Sequence, residues 1–365
     1  MPKISDILHT LESWAPKSYQ ESYDNSGLLT GNSNDELKGI LVTLDCTEEI
    51  IEEALKKGAN LVVAHHPIIF SGLKKLTGSN YVERTIIKAI KHDIAIYALH
   101  TNLDNVHHGV NAMIAKKIGL QHLKILVPKT EILQELEFFV PIEHTQTVLT
   151  AIHEAGAGTI GNYTNCSFKV NGIGTFLPTE LANPTIGKKG AQEQVNEDRV
   201  EVLFPRHLQQ GILAAMKSAH PYEEVAYFIT RLQNSHQEVG SGMIGELPSP
   251  LSVQDFLQHL KASMQLNTIK YTAFQRETIQ KVAVCGGSGS FLLKAAMAQK
   301  ADVFVTSDFK YHEYFDGEGK TMIADIGHYE SEVFTKDLIG TFLSEKFTNI
   351  ATYLSEVNTN PVKYF

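Results

Sequence analysis

Short apolar runs separated by amphipathic stretches set the rhythm of the first part of the chain. Residues 39–44, Lys-Gly-Ile-Leu-Val-Thr, predict a buried strand. Residues 47–58 predict a helix that opens on Glu and closes on Lys-Lys-Gly, and 60–64, Asn-Leu-Val-Val-Ala, a second strand. The pattern returns late in the chain as 281–285, Lys-Val-Ala-Val-Cys, then a glycine turn, a helix near 291–300 and a strand at 302–306. Sliding one region onto the other by 242 positions needs no gap and lays Val42 on Val284 and Ala54 on Ala296. A second match, at an offset of 228, lays Ile96-Tyr-Ala-Leu-His100 over Ala324-Asp-Ile-Gly-His328 and Asp104 over Glu332. The fold class read from this echo is α/β, with two pseudo-repeated halves facing each other across one site. Chance similarity between two common strand-helix-strand units is the alternative.

A different rhythm separates the halves. Glu137-Phe-Phe-Val-Pro141 precedes a helix with Val148, Leu149 and Ile152 on one face. Val200-Glu-Val-Leu-Phe-Pro205 precedes another with Ile212, Leu213 and Met216, and the two match at an offset of 64, proline on proline. A duplicated strand-helix-strand unit predicts an inserted ferredoxin-like α+β module. Its middle, Leu177 to Asp198, is rich in Gly, Pro, Asn and Gln and reads as loops. The expected organisation is 1–129, the first half of a split core; 130–232, the insertion; and 233–365, the second half.

Composition narrows the functional classes. The 365 residues are 43% apolar and 20% charged, and 41 acids against 32 bases leave a formal charge of -9. No general attraction to nucleic acid or an anionic membrane surface follows. The three cysteines, Cys46, Cys166 and Cys285, are far apart and odd in number, forming neither a disulfide framework nor a metal knuckle. With Asp6 interrupting the N-terminus and no apolar run long enough to span a bilayer, a cytoplasmic protein is expected. The 16 histidines are left as the candidate metal chemistry.

Three strand ends concentrate that chemistry. Val62-Val-Ala-His65-His66-Pro67 runs a buried strand into two imidazoles and a proline that cannot continue a central ladder. Ligands gather at such C-terminal strand ends in open α/β sheets. His107-His108, in a polar loop, reads as solvated surface. His328-Tyr-Glu-Ser-Glu332 places an imidazole and a carboxylate one turn apart if a helix starts at 328, leading into a helix whose apolar face includes Phe334, Leu338 and Phe342. Helix-end electrostatics are its ordinary explanation. His100-Thr-Asn-Leu-Asp104 closes a third strand, and turn chemistry alone accounts for an Asp there. Convergence of the three gives His65, His66, Asp104, His328 and Glu332 as ligands. Those donors suit two divalent ions, Zn, Fe or Mn, sharing a carboxylate, an arrangement suited to hydrolysis of a small molecule. His100 binds metal, acts as acid or base, or holds Asp104 from behind.

The combination His-His-Pro, His-Thr-Asn-Leu-Asp and Gly-His-Tyr-x-x-Glu, with Tyr23-Asp-Asn-Ser-Gly-Leu-Leu near the start, resembles the Nif-three-like dinuclear metal family, also labelled GTP cyclohydrolase I type 2 homologues. Cys285-Gly-Gly-Ser-Gly-Ser, Thr306-Ser-Asp-Phe-Lys-Tyr-His312 and His220-Pro-Tyr-Glu-Glu224 extend the resemblance over essentially the whole chain. It implies two ions held by the five residues above, a PII/CutA-like insertion, a homohexamer built as a ring of dimers, and a purine nucleotide as substrate. A noncatalytic metal-trafficking or regulatory scaffold is the competing function. Ser307 departs from the family, which commonly has Gly before Asp308. Asp308, Lys310 and His312 are expected to border the same cleft as substrate contacts. The glycine turn at 285–290 either cradles an anion or is a tight turn alone. His220–Glu224 reads as a turn before a last strand, or as a ligand site, and Cys46 as a small core residue.

Overall fold

The computed structural model describes residues 2–365. The chain divides into two compact units, Met1–Val127 with Glu238–Phe365, and Pro128–Gln237.

In the first unit, strands Ile40–Thr43, Leu61–Ala64 and Ala95–Ala98 are buried along their whole length. Uninterrupted apolar runs of this kind suit a sheet covered on both faces. They pair in parallel, Val42 with Val63 and Val63 with Tyr97. Thr352–Leu354 adds a parallel edge and Gly27–Thr30 an antiparallel one. Helix Glu48–Lys57 carries acids in its first turn and lysines in its last, complementing the helix dipole. It buries Ile50, Ile51 and Ala54 in one cluster with Leu41, Val62 and Ile96.

The second sheet of this unit runs, in spatial order, Lys270–Tyr271, Met322–Asp325, Val303–Ser307, Thr278–Ser288, Gly240–Ser252 and Gln121–Pro128. Its middle strands are parallel, Val284 opposite Val305 and Val305 opposite Ala324. The expected helix after His328 is two helices, His328–Glu332 and Thr335–Lys346. The second buries Thr335, Ile339, Gly340 and Leu343, whereas Phe334, Leu338 and Phe342 are only half-buried. Phe342 stacks on Trp14 at 4.2 Å and Lys117 lies over Phe334, so the larger apolar stripe packs at the rim of the unit.

The unit Pro128–Gln237 has the order strand, helix, strand, strand, helix, strand. Its antiparallel sheet runs Phe168–Phe176, Glu193–Pro205, Leu133–Pro141, Tyr227–Leu232. Helices Thr145–Glu154 and Gln209–Ala219 bury Val148, Ile152, Ile212 and Met216 against Phe138, Val140, Val200 and Val202. The segment expected as loops, 177–198, is loop only in part. Glu193–Asp198 belongs to a long strand paired with Phe168–Phe176, Asp198 opposite Asn171. Polar residues suit it because one sheet face lacks helices, and side chains on a strand alternate between faces.

Among the described residues, no helix is long and apolar enough to cross a membrane.

Candidate metal centre

Three of the parallel strands end in the side chains that matter. The chain leaves its strand after Ala64, where the His65 and His66 amides donate to the Thr43 and Leu44 carbonyls. Both imidazoles are thereby held at the strand end. Asp104 closes the short helix Thr101–Asp104 after the next strand, and His328 and Glu332 are the two ends of His328–Glu332. His65, His66 and His100 offer ligand atoms within 4.8 Å of one another, as do His66, His328 and Glu332, and His65, Asp104 and Glu332. All five sequence-derived ligands and His100 therefore meet at one place. His107 and His108 belong to none of these groups.

Glu332 is the hub. Its Oε2 lies 3.0 Å from His66 Nε2 and 3.1 Å from His328 Nε2, and its Oε1 lies 3.8 Å from His65 Nε2. His65 Nε2 is 3.6 Å from Asp104 Oδ1. Gly287 makes room for this carboxylate, because a Cβ there would stand 2.5 Å from Glu332 Oε1, on a backbone with φ of +61°. The glycine turn at 285–290 thus presses on Glu332.

Every imidazole is anchored through Nδ1. His65 donates to the Leu99 carbonyl at 2.8 Å, His66 to Asp45 at 2.7 Å, His100 to Asp24 at 2.8 Å and His328 to Asp308 at 2.6 Å. Acceptors at Nδ1 fix each ring and leave Nε2 facing the cluster, the arrangement usual for metal-ligating histidines. Asp45 and Asp24 are fixed in turn, Asp45 by the Thr359 hydroxyl and Asp24 by Ser26 and Thr101.

Charge is distributed unevenly over these groups. Burial opposes protonation of His66, but Asp45 and Glu332 raise it to about 10, and His328 is raised against burial to about 9 by Glu332 and Asp308. Burial holds His65 below the usual imidazole range. Burial works against a charged Glu332, yet bonds from His328 and His66 keep it well below the carboxylate range. Burial, then the nearby Glu332 charge, pushes Asp104 well above that range. Asp24 is held low against burial by His100 and its hydroxyl donors. The Cys285 thiol is pushed up by burial and then by Asp104 and Glu332.

Two atoms aimed at the centre have no hydrogen-bond partner although fully buried: His65 Nε2 and Asp104 Oδ1. Leaving such groups unmet costs about 1–3 kcal/mol each. With Asp104 ionised, its carboxylate oxygen and the bare imidazole nitrogen are both acceptors, and neither can satisfy the other. A cation meets both, so the donor set fits divalent metal.

The centre opens into a cavity of about 370 Å³ whose wall includes Tyr23, Phe70 and Phe291. A second cavity of about 470 Å³ shares His66 and His328 and includes Asp45, Asp308 and Lys270. Asp308 thus borders the site while also holding His328, and it adopts a left-handed backbone, φ +59°. Ser307, at the position where Gly was expected, is buried and donates to the Gly287 carbonyl at 2.6 Å. Lys310 and His312 line neither cavity and are exposed at the short turn Tyr311–Gly317. His100 holds Asp24 and not Asp104. Asp24 and Asp45 had no assigned role in the sequence reading. Asp45 lies two residues past strand Ile40–Thr43, which pairs with the strand leading into His65, so strand-end position was an available signal. Cys46 is buried, its thiol pushed up to about 12 by burial and then Asp45, in keeping with a core residue.

A profile of the Duf34/NIF3 (NGG1p interacting factor 3) family matches residues 2–361. The chain is 36% identical over 363 residues to a Bacillus subtilis protein named GTP cyclohydrolase 1 type 2 homolog, covering 98% of this chain and 97% of the relative. It is 38% identical to a relative of the same name from Halalkalibacterium halodurans, covering 98% of each chain. The crystal structure of a Bacillus cereus protein related to NIF3 superposes with a TM-score of 0.88 at 36% identity, covering 100% of this chain and 99% of that one.

Proposed function

This chain belongs to the Duf34/NIF3 family, and from that premise we propose that it is a dinuclear metal-dependent hydrolase of a small heterocyclic molecule. His65, His66, Asp104, His328 and Glu332 would hold the ions, with Glu332 shared. The observation that carries the reading is the set of inward-facing Nε2 atoms, each ring tied back through Nδ1, around two buried acceptors that have no other partner.

Bound divalent ions supply Lewis acidity and make water more acidic. The chain's own groups do the rest. Tyr23, Phe70 and Phe291, each more than half exposed at the cavity wall, offer ring faces on which a planar heterocycle stacks. His100, oriented by Asp24, gives or takes a proton at Nε2. Asp45 and Asp308 hold His66 and His328 in place as charge changes. The name of the relatives points to a purine nucleotide, and the aromatic rim is compatible with its base.

The first unit reads as two pseudo-repeated halves. Support comes from strand order and direction: each sheet has an antiparallel edge strand followed by three parallel strands, with Leu61 pairing Ala95 in one and Val303 pairing Met322 in the other. Pro128–Gln237 reads as an inserted ferredoxin-like, PII/CutA-like module, supported by its element order and antiparallel sheet. Assembly as a hexameric ring of dimers is carried over from the resemblance.

Assaying metal-loaded protein against GTP and a panel of phosphoesters tests the enzyme reading, with the His65→Ala/Glu332→Ala double variant as the background. Turnover well above that variant is expected. Turnover equal to it leaves the scaffold function.

A further inference from the structure

The unit Pro128–Gln237 contains a cavity of about 730 Å³ that plays no part in the proposed metal chemistry. Its wall comes from the loop after Phe176 and from the sheet face that carries no helices. Glu197 is its anchor. Strand pairing sets this residue between Gly172 and Pro141, and it is only 8% exposed. One carboxylate oxygen, Oε1, accepts from the Tyr222 hydroxyl at 2.9 Å, while no described residue donates to Oε2. That free oxygen has space reserved for it, since a Cβ on Gly174 would stand 1.9 Å away. The side chain is thus largely shielded while Oε2 faces the cavity, where it presents negative charge to whatever enters.

The surroundings specify what that is. Phe139, Phe176 and Tyr222 line the cavity, the last two edge to face at 6.0 Å between centroids. Glu223 and Glu224 add negative charge, and no Lys, Arg or His lines the cavity. His220 lies behind it with both nitrogens occupied: Nδ1 accepts from the Tyr222 amide and Nε2 donates to the Phe139 carbonyl. It is therefore an uncharged brace for the aromatic wall. A compact metal ion needs several donors close together. Among the described residues, no cluster of three potential ligands includes Glu197, Glu223 or Glu224. One buried carboxylate beside three aromatic rings suits instead a cation with an apolar body, which the rings attract through their faces.

We infer that this cavity binds a small organic cation, an amine or guanidinium on an apolar stem, with its charge on Glu197 and its stem against Phe139, Phe176 and Tyr222. Isothermal titration calorimetry of the full chain with 4-phenylbutylamine tests this directly. Saturable binding at one site per chain is expected, at least tenfold tighter than for the uncharged 4-phenylbutanol. Glu197→Gln keeps an acceptor for Tyr222 but turns an N–H toward the amine, and should weaken binding at least tenfold. Ala182→Trp, on the loop side of the wall, should block binding without touching the carboxylate. Equal affinity for amine and alcohol, undiminished binding by a folded Glu197→Gln, or indifference to Ala182→Trp would each overturn the assignment. So would Mn²⁺ displacing the amine from the wild-type cavity.

Discussion

Four imidazoles surround Glu332, and each is tied back by an acceptor from a different segment: Leu99, Asp45, Asp24 and Asp308. Their rings are oriented before any ion arrives, so the supporting acids should matter nearly as much as the ligands. Asp45→Asn is expected to weaken metal affinity about 10- to 100-fold, measured by competition with a chelator. Unchanged affinity would show that His66 needs no such support. Gly287→Ala tests the space around the hub, because its Cβ must displace Glu332 or the turn itself. A loss of about 1–3 kcal/mol in stability, read from denaturant melts, together with loss of bound metal is expected. The residues at strand ends were legible in the sequence because three strand ends converge on His and carboxylate, although each spacing alone has an ordinary explanation. Asp24 and Asp45 were not, since single acids in turns have an ordinary explanation in hydrogen bonds to the local backbone. Only the tertiary structure shows that their partners are imidazoles 76 and 21 positions away.

At the scale of elements, the loop that follows His66 and carries Phe70 is pinned by helix Tyr81–Lys91. Asn80 caps that helix by accepting from the Glu83 amide, and the Glu83 carboxylate accepts from the amides and hydroxyls of Thr77 and Ser79. These bonds, led by the Thr77 amide, lower Glu83 from 4.5 to about 2. A carboxylate held low in the folded state stabilises fully above its unfolded value and loses that contribution as pH falls through the folded one. Glu83→Gln should therefore lower the melting temperature at pH 7, and its gap from wild type should close between about pH 4.5 and 2. A gap independent of pH would remove the ionised carboxylate from the explanation. Apolar periodicity located the helix at 47–58 to within a residue at each end, because Ile50, Ile51 and Ala54 face one sheet. After His328 it misled. Phe334, Leu338 and Phe342 share a helical spacing with the smaller set Thr335, Ile339 and Leu343, and packing chose the smaller set for the interior. Strand Phe168–Phe176 escaped notice because its side chains are largely exposed, so it carries no clear alternation.

On the scale of the whole molecule, the division into two compact units makes a separable prediction. Where the chain enters and leaves Pro128–Gln237, the His236 amide donates to the Lys129 carbonyl at 2.8 Å, so a few glycines can join the flanking segments. Replacing residues 130–235 with such a linker should leave the metal-to-chain ratio unchanged by elemental analysis, while abolishing binding of 4-phenylbutylamine. Loss of metal from that deletion would tie the centre to the insertion. In the sequence, the expectation of a split core and an insertion rested on the internal echo and the proline-on-proline match, whereas nothing in periodicity or spacing speaks to assembly; a homohexamer predicts six chains by sedimentation. The central claim is that Glu332 and the four side chains His65, His66, Asp104 and His328 hold two divalent ions. Protein purified without added metal, examined by elemental analysis and by anomalous scattering from crystals, tests it most directly. Two ions per chain are expected, one beside His65 and Asp104 and one beside His66 and His328, with Glu332 reaching both. A single ion at full occupancy, or ions bound away from these residues, would contradict it.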